Sequence, residues 1–465
     1  MSVRLISSIK LQGLFGLYDY NIPKEGTLSD ATILYGDNGV GKSTILRLAF
    51  HLLSAANNRG HRTQLYKTEF QRIEVMLSSG TMLSAHVSKA EPVKVLTFEV
   101  KDKNKIVAAW DYCPQDYRPA GQANLFDDEI YLDTNEHGEM FLRKKSFSKK
   151  SKKGDDVPRG EQAYLEALKQ RVPALFILTA DRRLDSDAVS DPSDEVELRR
   201  VMQYDKPKSI NDLARRSREI ALSQALYKSF RWLNRQAVRG TNQGSTNVHQ
   251  VYTQVITKLV PLKDSPLDGV KTAEVSKMLD QLTHIDKRSE ELATYELSTH
   301  LPTDDFKKAL RTKRKNQQRI TINLLEPYIA SLQSRLSAIE PIYQLIDRFI
   351  NIVNQLLKDK EIKFKLSQGF IIINKLGTQL EPAQLSSGEQ QLLLLFSYVL
   401  TARETPTVFM IDEPEISLNI KWQRQLIHAL LDITEGASIQ FMFASHSMEL
   451  IAQHRQRVVK LENTQ

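Results

Sequence analysis

Two stretches from opposite ends of the chain carry residues suited to phosphate chemistry. Near the start, Gly36-Asp37-Asn38-Gly39-Val40-Gly41-Lys42-Ser43-Thr44 has the spacing of a phosphate-binding loop. Its glycines let backbone N–H groups converge on phosphate oxygens, Lys42 reaches the β and γ oxygens, and Ser43 offers a hydroxyl to Mg²⁺. Asn38, Gly39, Gly41, Lys42, Ser43 and Thr44 are therefore the expected nucleotide-binding set, with ATP and Mg²⁺ as ligands. Near the end, the apolar run Thr407-Val408-Phe409-Met410-Ile411 stops at Asp412-Glu413. Two carboxylates at one strand end can divide the work: Asp412 holds the metal, and Glu413 polarises a water for in-line attack on the γ-phosphate. A second apolar run, Phe441-Met442-Phe443-Ala444, ends at Ser445-His446-Ser447 and puts His446 where it could contact the γ-phosphate. An acidic pair or a single histidine alone reads as a solvated turn or a structural residue. The phosphate loop ahead of them favours the catalytic reading.

Just before the acidic strand, Ser386-Ser387-Gly388-Glu389-Gln390-Gln391 opens a helix, with serine supplying a cap. A capped helix start is explanation enough, yet first-turn amides can also bind an anion presented by another subunit. Ser387 and Gly388 thus become candidates for a site completed between two copies.

The elements that must hold these residues follow from periodicity. Residues 1–30 read as an antiparallel strand pair, Ala31–Tyr35 as a strand feeding the loop, and a helix follows from Ser43 to about Ala56. Period-two segments such as Ile73–Leu77 and Val95–Val100 predict a mostly antiparallel β lobe. Ala174–Thr179 is a buried strand that ends in Ala180-Asp181-Arg182-Arg183. From about residue 205 to 359 apolar residues recur at three and four, as in Ile339, Ile342, Leu345, Ile346 and Phe349, with Gly240 to Thr246 expected to interrupt the helices. Ile362–Leu366 and Phe370–Ile373 form a hairpin around Ser367-Gln368-Gly369. The expected organisation is an α/β head split into 1–204, with the phosphate loop and β lobe, and 360–465, with the remaining site motifs, around a helical arm at 205–359.

Composition agrees with a folded protein: 41% of the 465 residues are apolar and 26% charged, near the usual values for globular chains. The single cysteine, Cys113, excludes an intramolecular disulfide and fits a reducing cytoplasm. The first residues lack a secretory signal, and the apolar run from Leu392 to Leu400 is too short to span a membrane, so a cytoplasmic location is expected. A formal charge of +8 permits contact with nucleic acid without assigning a site. The tract from Lys144 to Lys153 and the set Lys307, Lys308, Arg311, Lys313, Arg314, Lys315 and Arg319 could each neutralise phosphates of DNA or RNA. Each could equally be a solvated face, and the second could dock an acidic protein.

In content and order these motifs resemble the ATP-binding-cassette (ABC) ATPase heads of the SMC, RecF and double-strand-break-repair type, over roughly 1–200 and 360–465. The resemblance implies a composite site in which Lys42 and Ser43 of one head face Ser387 and Gly388 of another. It also implies that Ser417-Leu418-Asn419 corresponds to the family's interface loop, with Asn419 where an acidic residue or histidine is common. Asp181-Arg182-Arg183 stands at about the strand end where the family's γ-phosphate-sensing glutamine is expected; an arginine could replace it there, or the arginine pair could simply be solvated. The arm has no Cys-x-x-Cys hook, and little chain follows His446 for a fused nuclease domain. Compact size and short tail look most like ATPase subunits of bacterial anti-phage systems, the PARIS type (AriA) first and the Septu type (PtuA) second. That likeness implies a homodimer or higher homo-oligomer, a separate Toprim-like or HNH nuclease effector, and a phage protein as trigger. The rival expectation is an SMC/RecF-like ATPase acting directly on DNA in repair or chromosome maintenance. The energy subunit of a membrane transporter fits less well, because of the large insertion.

Overall fold

The computed structural model describes residues 5–57, 59–89, 94–114, 130–134, 140–144, 159–179, 184–186, 210–245, 272–311, 315–416 and 418–464. In chain order the first elements are β1 (Ile6–Leu14), β2 (Tyr18–Ile22), β3 (Ala31–Tyr35), α1 (Lys42–Leu53), α2 (His61–Lys67), β4 (Arg72–Leu77), β5 (Thr81–Lys89), β6 (Val95–Asp102) and β7 (Lys105–Tyr112). There follow β8 (Ile130–Thr134), β9 (Met140–Lys144), α3 (Glu161–Arg171), β10 (Ala174–Leu178) and β11 (Leu184–Ser186). The middle of the chain holds α4 (Ile210–Ser245), α5 (Thr272–Ala293), α6 (Asp304–Leu310), α7 (Lys315–Leu356), β12 (Lys360–Lys365), β13 (Gly369–Asn374), β14 (Gln379–Leu380) and α8 (Ser387–Thr401). The chain closes with β15 (Thr407–Asp412), α9 (Ile420–Ile433), β16 (Ile439–Ala444), α10 (Met448–Gln453) and β17 (Val458–Lys460). Two compact units result: Met1–Lys206 with Ala402–Gln465, and Pro207–Thr401.

The first unit contains two six-stranded sheets. One is antiparallel, in the order β2-β1-β4-β5-β6-β7. The alternating burial of β4 shows why: one face packs inward and the other is left partly open. The other sheet, β11-β10-β15-β16-β3-β17, is parallel from β10 to β17, with β11 antiparallel at one edge. Every residue of β15 and of β16 is buried, as expected for central strands of a sheet covered on both faces. Phe176, Phe409 and Phe441 stack across β10, β15 and β16 with ring centroids 4.8 and 5.6 Å apart. The one polar side chain in the middle of β16, Gln440, accepts from Leu5 N and Ile6 N at 3.0 and 2.7 Å and donates to the carbonyls of Ile6 and Ser29. It thereby ties the start of β1 to the core sheet. In register, Asp412 of β15 lies beside Ala444 of β16, and Ala444 beside Leu34 of β3. The segments after these three neighbouring strands therefore leave the sheet at one edge, the carboxyl ends where ligands of open α/β sheets bind.

The second unit combines helices with the three-stranded sheet β12-β13-β14. Ile339, Ile342, Ile346, Phe349, Ile350, Val353 and Leu356 form the buried stripe of α7. Contrary to the expected break at Gly240, α4 continues through it to Ser245. A Cβ on Gly240 would lie 2.9 Å from the carbonyl oxygen of Ala338 on α7, so the glycine serves close helix packing and not a turn. Residues 360–401 also belong to this unit. Asn354 of α7 exchanges two hydrogen bonds with the backbone of Ile362 in β12, and Ser229 Oγ of α4 donates to Ser397 O of α8 at 3.0 Å.

Cys113 is buried. Among the described residues, no helix is long and apolar enough to cross a membrane. Residues 145–153, 181–183, 313–314 and 417, which include most of the lysine tract, the Asp181–Arg183 group and Ser417, lie outside the described residues.

Candidate functional site

The loop after β3 is shaped by glycine. Gly39 and Gly41 adopt φ of 87° and 93°, and a Cβ on Gly41 would lie 2.6 Å from Leu14 Cδ2. Asn38 and Gly39 are exposed at its crest, while Thr44 is half-buried in the first turn of α1. Gly41 caps α1 without offering a side chain, and the first intrahelical bond runs from Ile45 N to Gly41 O at 2.8 Å. The amides of Lys42, Ser43 and Thr44 lie ahead of that bond and share the positive end of the helix dipole. Lys42 is buried, and its ammonium donates back to the carbonyls of Gly36 and Asp37 at 2.8 and 3.0 Å. From β2, Tyr20 braces the loop by donating its hydroxyl to Val40 O at 2.8 Å. Burial, with Tyr18 adding to it, pushes the Tyr20 phenol up to about 12, so it remains a donor.

Across the strand edge, Ser43 Oγ donates to Asp412 Oδ1 at 2.6 Å, and an Arg47 nitrogen on α1 lies 3.6 Å from Asp412 Oδ2. A serine hydroxyl beside a buried carboxylate is a hard-oxygen pair of the kind Mg²⁺ prefers. Glu413 follows with a left-handed backbone, φ 49°, held by its N–H donating to Ala444 O at 2.8 Å. His446 Nδ1 lies 2.5 Å from Glu413 Oε2 and 3.4 Å from Glu415 Oε1. Burial raises the Glu413 carboxyl to about 7; a hydrogen bond and negative charge from Glu415 add to this, and His446 opposes it. Glu415 is buried, and its Oε1 accepts from Ser445 Oγ, His446 N and Ser447 N at 2.7, 3.1 and 3.0 Å. Glu413, Glu415 and His446 bring possible ligand atoms within 4.8 Å of one another, a closeness that the contacts of His446 with both carboxylates explain.

In the second unit, α8 opens with a capping box. Ser386 N and Oγ both donate to Glu389 Oε2 at 2.8 Å, and Glu389 N donates to Ser386 Oγ at 3.4 Å. Lys360 Nζ holds the buried Glu389 carboxylate at 3.0 and 3.1 Å. Ser386 is thus the cap, whereas Ser387 is exposed and Gly388 buried.

The first unit unites the phosphate loop with Asp412, Glu413 and His446; Ser387 and Gly388 lie in the second unit. Asn419 caps α9, accepting from Trp422 N at 2.9 Å. Sequence reasoning missed Tyr20, Arg47 and Glu415. Only Glu415 left a signal, a second carboxylate two residues after the first in the same turn.

Several known proteins are similar to this chain. The molybdenum import ATP-binding protein ModC of Escherichia coli (strain K12) and that of Shigella flexneri are each 37% identical over 84 residues, 18% of this chain and 23% of ModC. The chain thus spans less than a quarter of the length of these relatives. A crystal structure of the Smc head domain with an extended coiled coil, bound to the C-terminal domain of ScpA, from Pyrococcus furiosus aligns over 97% of this chain and 91% of its own, at TM-score 0.35 and 11% identity. The recombination mediator protein RecF aligns over 97% and 95%, at TM-score 0.28 and 11% identity. The AAA_21 family model, described as "AAA domain, putative AbiEii toxin, Type IV TA system", matches residues 170–452. That match covers more than half of the chain, which therefore belongs to this AAA-domain family.

Proposed function

We propose that the protein binds and hydrolyses ATP and that nucleotide binding joins two of its heads. The observation that carries this reading is the meeting of Ser43, Asp412, Glu413 and His446 at the carboxyl ends of adjacent parallel strands, directly beside the phosphate loop. Lys42 and the first-turn amides of α1 bind the β and γ phosphates, with Asn38, Gly39, Gly41 and Thr44 shaping the cradle. Ser43 and Asp412 would hold Mg²⁺, which would neutralise charge on the phosphates. Glu413 accepts the proton of the attacking water, and His446, in hydrogen-bond reach of Glu413, orients toward the γ-phosphate. Ser387 and Gly388 of a second copy complete the site, which the exposure of Ser387 supports. Hydrolysis then releases the partner.

In the finer reading, the protein is the sensor and scaffold subunit of an anti-phage defence complex, of the PARIS or Septu type. It holds a separate nuclease effector and frees it when a phage protein is detected. Two measurements test these levels separately. Purified protein should hydrolyse ATP only with Mg²⁺, and Glu413→Gln should form ATP-dependent assemblies on size-exclusion chromatography; no turnover with Mg²⁺ would refute the ATPase reading. Pull-down of the tagged chain with its neighbouring reading frames should recover a nuclease. Hydrolysis that is instead stimulated by DNA, with steep salt dependence, would replace the defence reading with one of action on DNA.

A further inference from the structure

Glu415 lies two residues beyond the proposed base, in the turn after β15, with its side chain buried. One oxygen, Oε1, takes hydrogen bonds from three successive residues of the loop after β16: Ser445 Oγ, His446 N and Ser447 N. A carboxylate oxygen withdrawn from water keeps such a place only where protein donors replace its hydration, and for Oε1 a single loop supplies them. The far side of that loop is held as well. Ser447 Oγ accepts from Leu450 N at the start of α10 and donates to Gln423 Oε1 at 2.9 Å, while Gln423 Nε2 donates to the carbonyls of Glu415 and Leu418. With the His446 and Ser447 amides pinned, the imidazole can move only about its own side-chain bonds, and its Nδ1 rests 2.5 Å from Glu413 Oε2. Glu413 itself has a left-handed backbone, which a non-glycine residue keeps only where neighbours over-determine it.

We propose that Glu415 is a positioning residue: it locks the 445–447 loop against the end of β15 and so fixes where His446 stands relative to Glu413. This rests on the ATPase reading above and adds to it the device that sets the histidine. Glutamine preserves the function in part, because its amide oxygen can accept the same three donors. Aspartate does not, since its carboxylate is withdrawn by one methylene.

The test is steady-state ATP hydrolysis by the full-length wild type, E415A, E415Q, E415D, H446A and the double variants E415A/H446A and E415D/H446A. Thermal melting and affinity for a fluorescent ATP analogue are measured alongside. Misplacing the histidine should lower the kcat of E415A and E415D by tenfold to about a hundredfold, leaving KM within about twofold. E415Q should stay within about threefold of wild type. In the H446A background the losses should shrink to within about threefold, because they run chiefly through the imidazole and only the direct Glu415–Glu413 contact is left; a merely structural residue would lower the rate there by its full factor. Should E415A fail to fold, E415D and its double variant carry the same comparison. Wild-type turnover by E415A or E415D, losses that multiply with that of H446A, or a fall that follows KM would overturn the inference alone. A wild-type protein without turnover would overturn the ATPase reading, and this inference with it.

Discussion

Ser43 and Asp412 are 369 residues apart in the chain, yet Ser43 Oγ donates to Asp412 Oδ1 at 2.6 Å. The bond joins the first turn of α1 to the end of β15 and sets two oxygen ligands side by side. Asp412→Asn keeps an oxygen for Ser43 to donate to but removes the charge that a divalent cation needs. Turnover should fall by about a hundredfold or more. Binding of a fluorescent ATP analogue should be normal in EDTA, and Mg²⁺ should no longer tighten it. Full Mg²⁺-dependent tightening in the variant would mean that Asp412 is not a metal ligand.

Lys42 supplies a second check on the cradle. Its ammonium donates to the carbonyls of Gly36 and Asp37, within the loop that would cradle the phosphates. Lys42→Ala removes a charge-assisted contact of about 1.5–3 kcal/mol, so ATP affinity should drop by roughly tenfold to a hundredfold in fluorescence titration. An unaltered dissociation constant would place the phosphates elsewhere.

Glu413 makes turnover sensitive to pH. As a base it must be ionised, and its carboxyl is raised from 4.5 to about 7. The rate should therefore climb as pH rises through about 7 and level off above it, while an unshifted glutamate would leave a flat profile there. The same shift means that the fold favours the protonated side chain; its contribution to stability is complete below 4.5 and is lost as pH rises through about 7. Glu413→Gln should abolish the limb and lower turnover by about 10²–10⁴. A rate independent of pH from roughly 5.5 to roughly 8.5 would argue against this base.

The local part of this architecture was legible in the residues. The glycine loop, the buried runs of β15 and β16 and the carboxylates at a strand end all follow from spacing and burial over a few positions. What escaped depends on distant contacts. Glu415 is ordinary until its oxygen is seen to hold a loop 30 residues further on. Tyr20 matters because its hydroxyl meets Val40, and nothing in the flanking residues announces that. Gly240 misled for a related reason: glycine within a polar run reads as a break, whereas the deciding neighbour is the backbone of Ala338 on another helix.

Gly240 can be tested directly. In Gly240→Val the first added carbon would meet Ala338 O at 2.9 Å, a backbone atom that cannot swing aside, and two methyl groups would follow. The expected loss is about 1–3 kcal/mol from overpacking, against which the slightly better helix propensity of valine over glycine offsets only about 0.3 kcal/mol. Chemical denaturation should show the midpoint falling with little change in slope. A midpoint at or above that of wild type would show that α4 and α7 do not approach so closely.

The strongest test of a site shared by two copies is complementation. Lys42→Ala should disable the phosphate loop, and Ser387→Arg should obstruct the exposed helix tip while leaving the capping box of Ser386 and Glu389 in place. Each variant alone should be inactive as a homodimer, because both of its sites carry the lesion. In an equimolar mixture, half of the dimers are mixed, and each mixed dimer pairs the intact loop of the Ser387→Arg copy with the intact tip of the Lys42→Ala copy. Two-fold symmetry then predicts recovery of roughly a quarter of wild-type turnover. Only a site assembled from two chains can regain activity in this way. If each chain housed its complete site, mixing two inactive proteins would restore nothing.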